Sequence, residues 1–363
     1  MNNPHLISII LRSASMKSLI LLTASLFILC ISPIESIQAK PIPSVPVTVA
    51  GSTIQASAMN WGGTLHVQLV PLVKAMGYRM NYDHTLGIIQ LSKPHRNLHM
   101  QLNYAEIALN GLTFPTQGAS IYKGSTYVPL RMFADLSGYR ISIDDQGHYL
   151  LTDRHDNDLT LSAGQPLNAS TSKYDIRIPT LVLSDGRNTA AIQSINQQLK
   201  QQLQSKLALA KNDLTRAWDQ QIQAGNIPGV PYDYELQWHI ASNTDNILSL
   251  YADVSQYSGG KYITPLRYSW TFDLTTGNQL TLQQLLAKNP NYLTLIKQKM
   301  NLQIANGTVI YPFTEPLPDI TKSTDWFVRD HQLVMYLPEE KYTSQIHTIL
   351  EFMIPLHELL PAS

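Results

Sequence analysis

The residue types best suited to chemistry in this chain are its histidines and carboxylates, and few of them fall at a productive spacing. His84, His95 and His99 lie close together, and His95 and His99 would share one face of a helix, which is one route to a metal site. Lys93-Pro94 interrupts any helix there and Leu98 to Leu102 reads as a strand, so no metal is expected. His155, Asp156 and Asp158 form a second cluster, in a polar stretch read as a solvated linker. Glu339 and Glu340, with Glu351 or Glu358, would supply carboxylates for acid–base work, but nothing in the sequence brings them together. Gly-x-Ser-x-Gly, His-Glu-x-x-His and phosphate-loop signatures are all missing. No catalytic residue and no cofactor are therefore assigned, which leaves recognition. Two aromatic rows, Tyr232/Tyr234/Trp238 and Tyr268/Trp270/Phe272, alternate as the buried face of a sheet does. Tyr251, Tyr257 and Tyr262 stand off those rows, around Gly259-Gly260. Loops on rigid sheets concentrate binding residues, so the candidate ligand-binding residues are Tyr257, Gly259, Gly260, Lys261 and Tyr262.

The chain has 363 residues, with 26 basic and 26 acidic side chains. Its length predicts about two domains, large enough to build a core without disulfide staples. The neutral balance and the lack of a Lys/Arg run argue against nucleic acid as a partner. The N-terminus is more informative. Arg12 and Lys17 precede an uncharged run from Ser18 to Ser32, and Ile37-Gln38-Ala39 follows, which is a secretory signal pattern with cleavage expected after Ala39. Either Met1 or Met16 serves as the start. The alternative is an uncleaved membrane anchor, for which the run is shorter than the ~20 residues of a spanning helix. The single cysteine, Cys30, lies inside this segment. The mature chain then has no disulfide, thiolate ligand or Cys nucleophile. Losing Arg12, Lys17 and Glu35 leaves 24 basic and 25 acidic residues. The expected location is secreted or extracellular, associated with the envelope.

Residues 40–46 read as a Pro-rich linker. After them the chain repeats. Gly63-Thr64-Leu65-His66-Val67 leads to Gly77-Tyr78-Arg79 and Asp83, and 61 residues later Gly124-Ser125-Thr126-Tyr127-Val128 leads to Gly138-Tyr139-Arg140 and Asp144. Each unit predicts a strand, a turn, a helix (Leu65 to Met76, Val128 to Leu136), a left-handed glycine cap and two closing strands. Tyr127-Val128-Pro129-Leu130-Arg131 with Gly138-Tyr139 resembles the copper amine oxidase N-terminal-like (stalk) domain, common on secreted proteins of Gram-positive bacteria. The resemblance over 47–153 implies a fold and no copper chemistry, because the stalk is not the catalytic part of such oxidases.

Residues 154–172 read as a second linker, and 173–363 as an α+β domain. A strand at Tyr174 to Pro179 is followed by a helix carrying Ile192, Ile195, Leu199, Leu203 and Leu207. Alternating rows from Tyr232 to Leu274 predict antiparallel strands, and Leu282 to Leu286 and Tyr292 to Ile304 predict helices. Strands at Leu333 to Leu337 and Phe352 to Leu356 close the domain. The stretch Thr271 to Gly277, with Leu280 to Leu286 and the closing strands, resembles the DUF3298 domain, and Tyr174 to Leu207 is similar to its companion DUF4163. That pair is found in the external part of a lysozyme-sensing (RsiV-like) anti-sigma factor and beside a peptidoglycan deacetylase. Gly259-Gly260-Lys261-Tyr262 departs from the Gly-Gly-Ala-His stretch of those relatives. The resemblance implies a non-enzymatic binding or sensing protein that recognises peptidoglycan or a wall-directed protein such as lysozyme. The alternatives are an enzyme or accessory in peptidoglycan modification and a membrane-anchored signalling protein.

Overall fold

The computed structural model describes residues 41–186, 189–259, 264–309, 316–317, 319–321, 324–338 and 349–360. The expected signal segment and Gly260, Lys261, Tyr262, Glu339 and Glu340 lie outside them. Among the described residues no helix is long and apolar enough to cross a membrane.

The first module runs β1 (Pro41–Val49), β2 (Ser52–Trp61), β3 (Thr64–Gln68), α1 (Leu69–Ala75), β4 (Arg79–Asp83), β5 (Ile88–Lys93), β6 (Arg96–Gln101), β7 (Glu106–Leu109), β8 (Leu112–Pro115), β9 (Ser120–Tyr122), β10 (Ser125–Pro129), α2 (Leu130–Ser137), β11 (Tyr139–Ile143) and β12 (Tyr149–Asp153). One sheet has the order β11-β12-β1-β2-β3-β10-β9, the other β4-β5-β6-β7-β8. The repeat has a geometric counterpart. Strands β3 and β10 pair antiparallel, with Val67 opposite Val128 and the flanking pairs exchanged about it, as a local twofold axis between the units requires. Tyr78 and Tyr139, equivalent in the repeat, flank the Lys93 ammonium at 4.8 and 4.9 Å. Gly77 and Gly138 follow the helices at φ +73° and +86°, the conformation expected of a helix stop. Asp83 and Asp144 each accept backbone N–H groups of the turn that follows them.

The second module contains β13 (Thr160–Ala163), β14 (Ala169–Ser170), β15 (Tyr174–Arg177), β16 (Leu181–Ser184), α3 (Ala190–Gln223), β17 (Tyr232–Thr244), β18 (Ile247–Tyr257) and β19 (Thr264–Asp273). It ends with α4 (Leu282–Leu285), α5 (Tyr292–Ala305), β20 (Trp326–Arg329), β21 (Gln332–Pro338), β22 (Ile349–Pro355) and α6 (Leu356–Leu359). A sheet of order β14-β15-β17-β18-β19 is sandwiched. Ile192, Ile195, Leu199 and Leu203 of α3 join one core with Tyr234, Leu236, Trp238, Leu250 and Trp270 on one face. The three-stranded sheet β20-β21-β22 covers the other. Trp238 donates to Pro179 O at 2.7 Å and Trp270 to Gln202 Oε1 at 2.6 Å, so both buried indoles are satisfied. The aromatic rows are therefore core.

The protein is α+β, as its patterning implies, but three segments differ from that reading. The predicted helices Leu65 to Met76 and Val128 to Leu136 begin as β3 and β10, because Val67 and Val128 are taken up by pairing across the local axis. Only seven and eight residues remain helical. Residues 41–46 of the Pro-rich stretch begin β1 instead of serving as a linker. Residues 154–172 are no solvated tether either. They hold β13 and β14, paired with β16 and β15, and Asn157 bonds to Asn243 and Asn246 of the β17–β18 hairpin at 2.7–3.1 Å.

Candidate functional site

The outer face of β4, β5 and β6 is built by alternation. Ile89, Leu91, Leu98 and Met100 point into the core, so Asn81, Gln90, Ser92, Asn97 and His99 must point out. Cross-strand register sets Asn81 opposite Gln90 opposite His99, and Arg79 opposite Ser92 opposite Asn97. Along one side runs β13, bringing Thr160 and Ser162, with the Asn110-Gly111 turn beside it. The result is a groove of about 680 Å³, within the ~300–1,000 Å³ typical of ligand sites. The Asn110 side chain fixes that wall. It accepts from Asn97 N and donates to His95 O and Leu161 O, each at 2.8 Å. The lining carries amides, hydroxyls, one guanidinium and one imidazole, and no carboxylate.

A second polar constellation lies between the two sheets of the second module. Arg267 forks onto Asp253 at 2.6 and 3.0 Å and bonds Glu351, and Arg329 grips Glu351 at 2.7 and 3.2 Å. Tyr251 is stacked between His239 and Phe327 at 4.4 and 4.6 Å, with the Arg267 guanidinium 4.3 Å from its ring. Burial alone would raise the Glu351 and Asp253 carboxyls. The bonds to Arg329 and Arg267, and to His239 and Arg267, outweigh burial and hold both below the ordinary carboxylate value. Among the described residues every charge of this network has a partner, so the network fastens the two sheets together.

The structure does not gather the residues singled out by sequence. His95 bonds Thr160 and pairs with Asp158 at 2.7 and 2.6 Å, His99 lines the groove, and His84 packs on Tyr82. Among the described residues no three His, Cys, Asp or Glu side chains form a metal cluster. Asp156 is nearly buried against Arg96 and Arg154, a correction to its reading as a solvated loop residue. Glu351 is locked as above, and Glu358 pairs with Lys299. Tyr257 meets Tyr232 edge-on at 5.9 Å, and a Cβ on Gly259 would lie 2.4 Å from the Tyr232 hydroxyl. These two candidates thus pack on the core aromatic row. The groove residues were missed, although Asn81, Gln90, Ser92, Asn97 and His99 sit at alternating polar positions that mark one exposed sheet face.

Residues 48–151 match the copper amine oxidase N-terminal domain. This module contains the groove floor. Residues 167–260 match the family described as deacetylase PdaC. No curated protein matches the chain. Among solved structures, it is similar to a DUF3298 family protein from Bacteroides fragilis, at 14% identity and TM-score 0.42, over 55% of this chain and 91% of that one. It is also similar to a DUF3298 family protein from Pseudomonas aeruginosa, at 14% identity and TM-score 0.32, over 57% of this chain and 99% of that one.

Proposed function

We propose that the protein is an extracytoplasmic binding protein of the cell envelope whose groove over β4–β6 holds a glycan strand rich in hydroxyl and acetamido groups, as in peptidoglycan. The lining carries this reading. Side-chain amides both donate and accept, which suits hydroxyl and acetamido partners, and the Arg79 guanidinium adds further donors with no carboxylate in the lining beside it. Cleaving a glycan ordinarily needs a pair of carboxylates, and the groove offers none, which favours holding over hydrolysis. The signal-like N-terminus and the similarity of the second module to one found beside a peptidoglycan deacetylase support the same setting.

The test is cosedimentation of the purified protein with insoluble peptidoglycan. Saturable binding is expected, weakened roughly tenfold or more in the double variant Gln90→Ala/His99→Ala, which removes two hydrogen-bonding groups. Both positions are exposed, so the variant keeps its stability within about 0.5 kcal/mol. Unchanged binding by the variant would refute the groove. Binding of lysozyme but not of peptidoglycan would favour recognition of a protein instead. The match to the deacetylase-named family over 167–260 favours a second reading, an accessory role in wall deacetylation. In that role the protein alone releases no acetate from peptidoglycan and raises release by a deacetylase.

A further inference from the structure

The groove over β4–β6 carries one permanent charge. Its lining sets the Arg79 guanidinium among amides, hydroxyls and the His99 imidazole, with no carboxylate. Arg79 is exposed, and among the described residues its side chain has no ion pair. The acids nearest in the chain are engaged elsewhere. Asp83, at the far end of β4, accepts the N–H groups of Thr85 and Leu86, and Asp158, two residues before β13, is held by His95 at 2.6 Å. A guanidinium offers five N–H donors in a planar fork that matches a carboxylate.

The repeat supplies an internal comparison. Arg140 is the equivalent of Arg79, and each follows the Gly-Tyr pair after a helix. Each stands on the first strand beyond that helix, Arg79 on β4 and Arg140 on β11. Arg140 is spent on Asp330 of the second module, at 3.0 Å. Arg79 lines the groove instead. Of two matched arginines, one ties the modules together and the other stands open over a floor of hydrogen-bonding groups.

That floor sets what can lie beside the charge. Arg79 shares its row with Ser92 and Asn97, and the next row is Asn81, Gln90 and His99. Outward residues two apart on a strand stand about 7 Å from one another, and three strands span about 10 Å. An amino sugar fits such a floor with its acetamido group on the amide row and an acid-bearing substituent of the neighbouring ring carbon on the Arg79 row. We infer, resting on the glycan reading above, that the groove takes an acidic strand, one carboxylate of which pairs with the Arg79 guanidinium. In a wall polymer that carboxylate comes from the lactyl ether of a sugar freed of its stem peptide, or from the stem peptide itself.

Cosedimentation tests it with intact peptidoglycan, with peptidoglycan stripped of stem peptides by an amidase, and with both materials after their carboxyls are capped as methylamides. The protein should bind at least one uncapped material about fivefold more tightly than its capped form, and added salt should narrow the difference. Arg79→Gln should abolish the preference. Arg140→Gln removes the same charge from the equivalent position and should keep it. Arg79 is exposed, so its variant should melt with the parent, and a lost preference is then not a lost fold. A preference on stripped peptidoglycan assigns the lactyl carboxylate, and one on intact peptidoglycan alone assigns the stem peptide. Equal binding of capped and uncapped material by the parent, or a preference kept by Arg79→Gln, would overturn the inference and leave the glycan reading standing. Absence of saturable binding to all four materials would overturn both.

Discussion

At the residue scale, the Arg267 network shows how charge can be kept in a core. Arg267 is 9% exposed and Glu351 24%, and a partly buried carboxylate survives there only because two guanidiniums meet it. Glu351→Gln strands part of both, and should cost about 2–3 kcal/mol in a denaturant melt, less than the ~3–5 of fully buried pairs. The pH dependence has a definite sign. Glu351 and Asp253 are held below their ordinary values of 4.5 and 3.8. Their stabilisation is therefore complete above those values and is lost as pH falls through the lowered ones. Raised carboxyls, Asp135 and Asp325, act in the opposite sense, so the comparison of Glu351→Gln with the parent isolates the network. The parent should lose more stability than the variant below about pH 4, and parallel curves would contradict the assignment. Glu351 was visible in the sequence only as a carboxylate without a partner. Its arginines lie 84 and 22 residues away, a separation that no local pattern reveals.

At the element scale, the repeat was legible because its markers are local. A glycine that stops a helix and an aspartate that caps a turn act within a few residues. What local pattern missed was the strand beginning of each predicted helix, since apolar residues at Leu65, Val67 and Leu69 fit either period and only pairing between units decides. The two cap glycines give a paired test. A Cβ on Gly77 would meet nothing within 4 Å, whereas on Gly138 it would lie 3.0 Å from Arg96 Nε and Nη2. Gly77→Ala should cost about 1 kcal/mol from its left-handed backbone alone. Gly138→Ala should cost clearly more, because it also displaces Arg96 from Leu136 O and Asp156. Equal melting temperatures for the two variants would mean that Arg96 yields freely.

At the scale of the molecule, one hydrophobic cluster runs from Val47 in the first module to Phe272 in the second, and residues 154–172 lie in the structure as a strap. Composition alone marked that strap as a linker, since its polar side chains look solvated until Asn157, Asp156 and Thr160 find partners in both modules. Residues 42–153 and 154–273 should therefore unfold in one calorimetric transition, and Asn157→Ala should lower its midpoint. Two resolved transitions in the parent would show that the shared core is not cooperative. The pairing of β1 with β12 has a further consequence. These strands, the first and last of their module, run parallel, with Val47, Thr48 and Val49 opposite Tyr149, Leu150 and Leu151. Tension applied to the chain before Pro41 and after Asp153 draws them past each other along their length. Their hydrogen bonds are then strained together instead of being peeled apart in turn, so the module resists stretching most strongly along the direction in which the chain enters and leaves it.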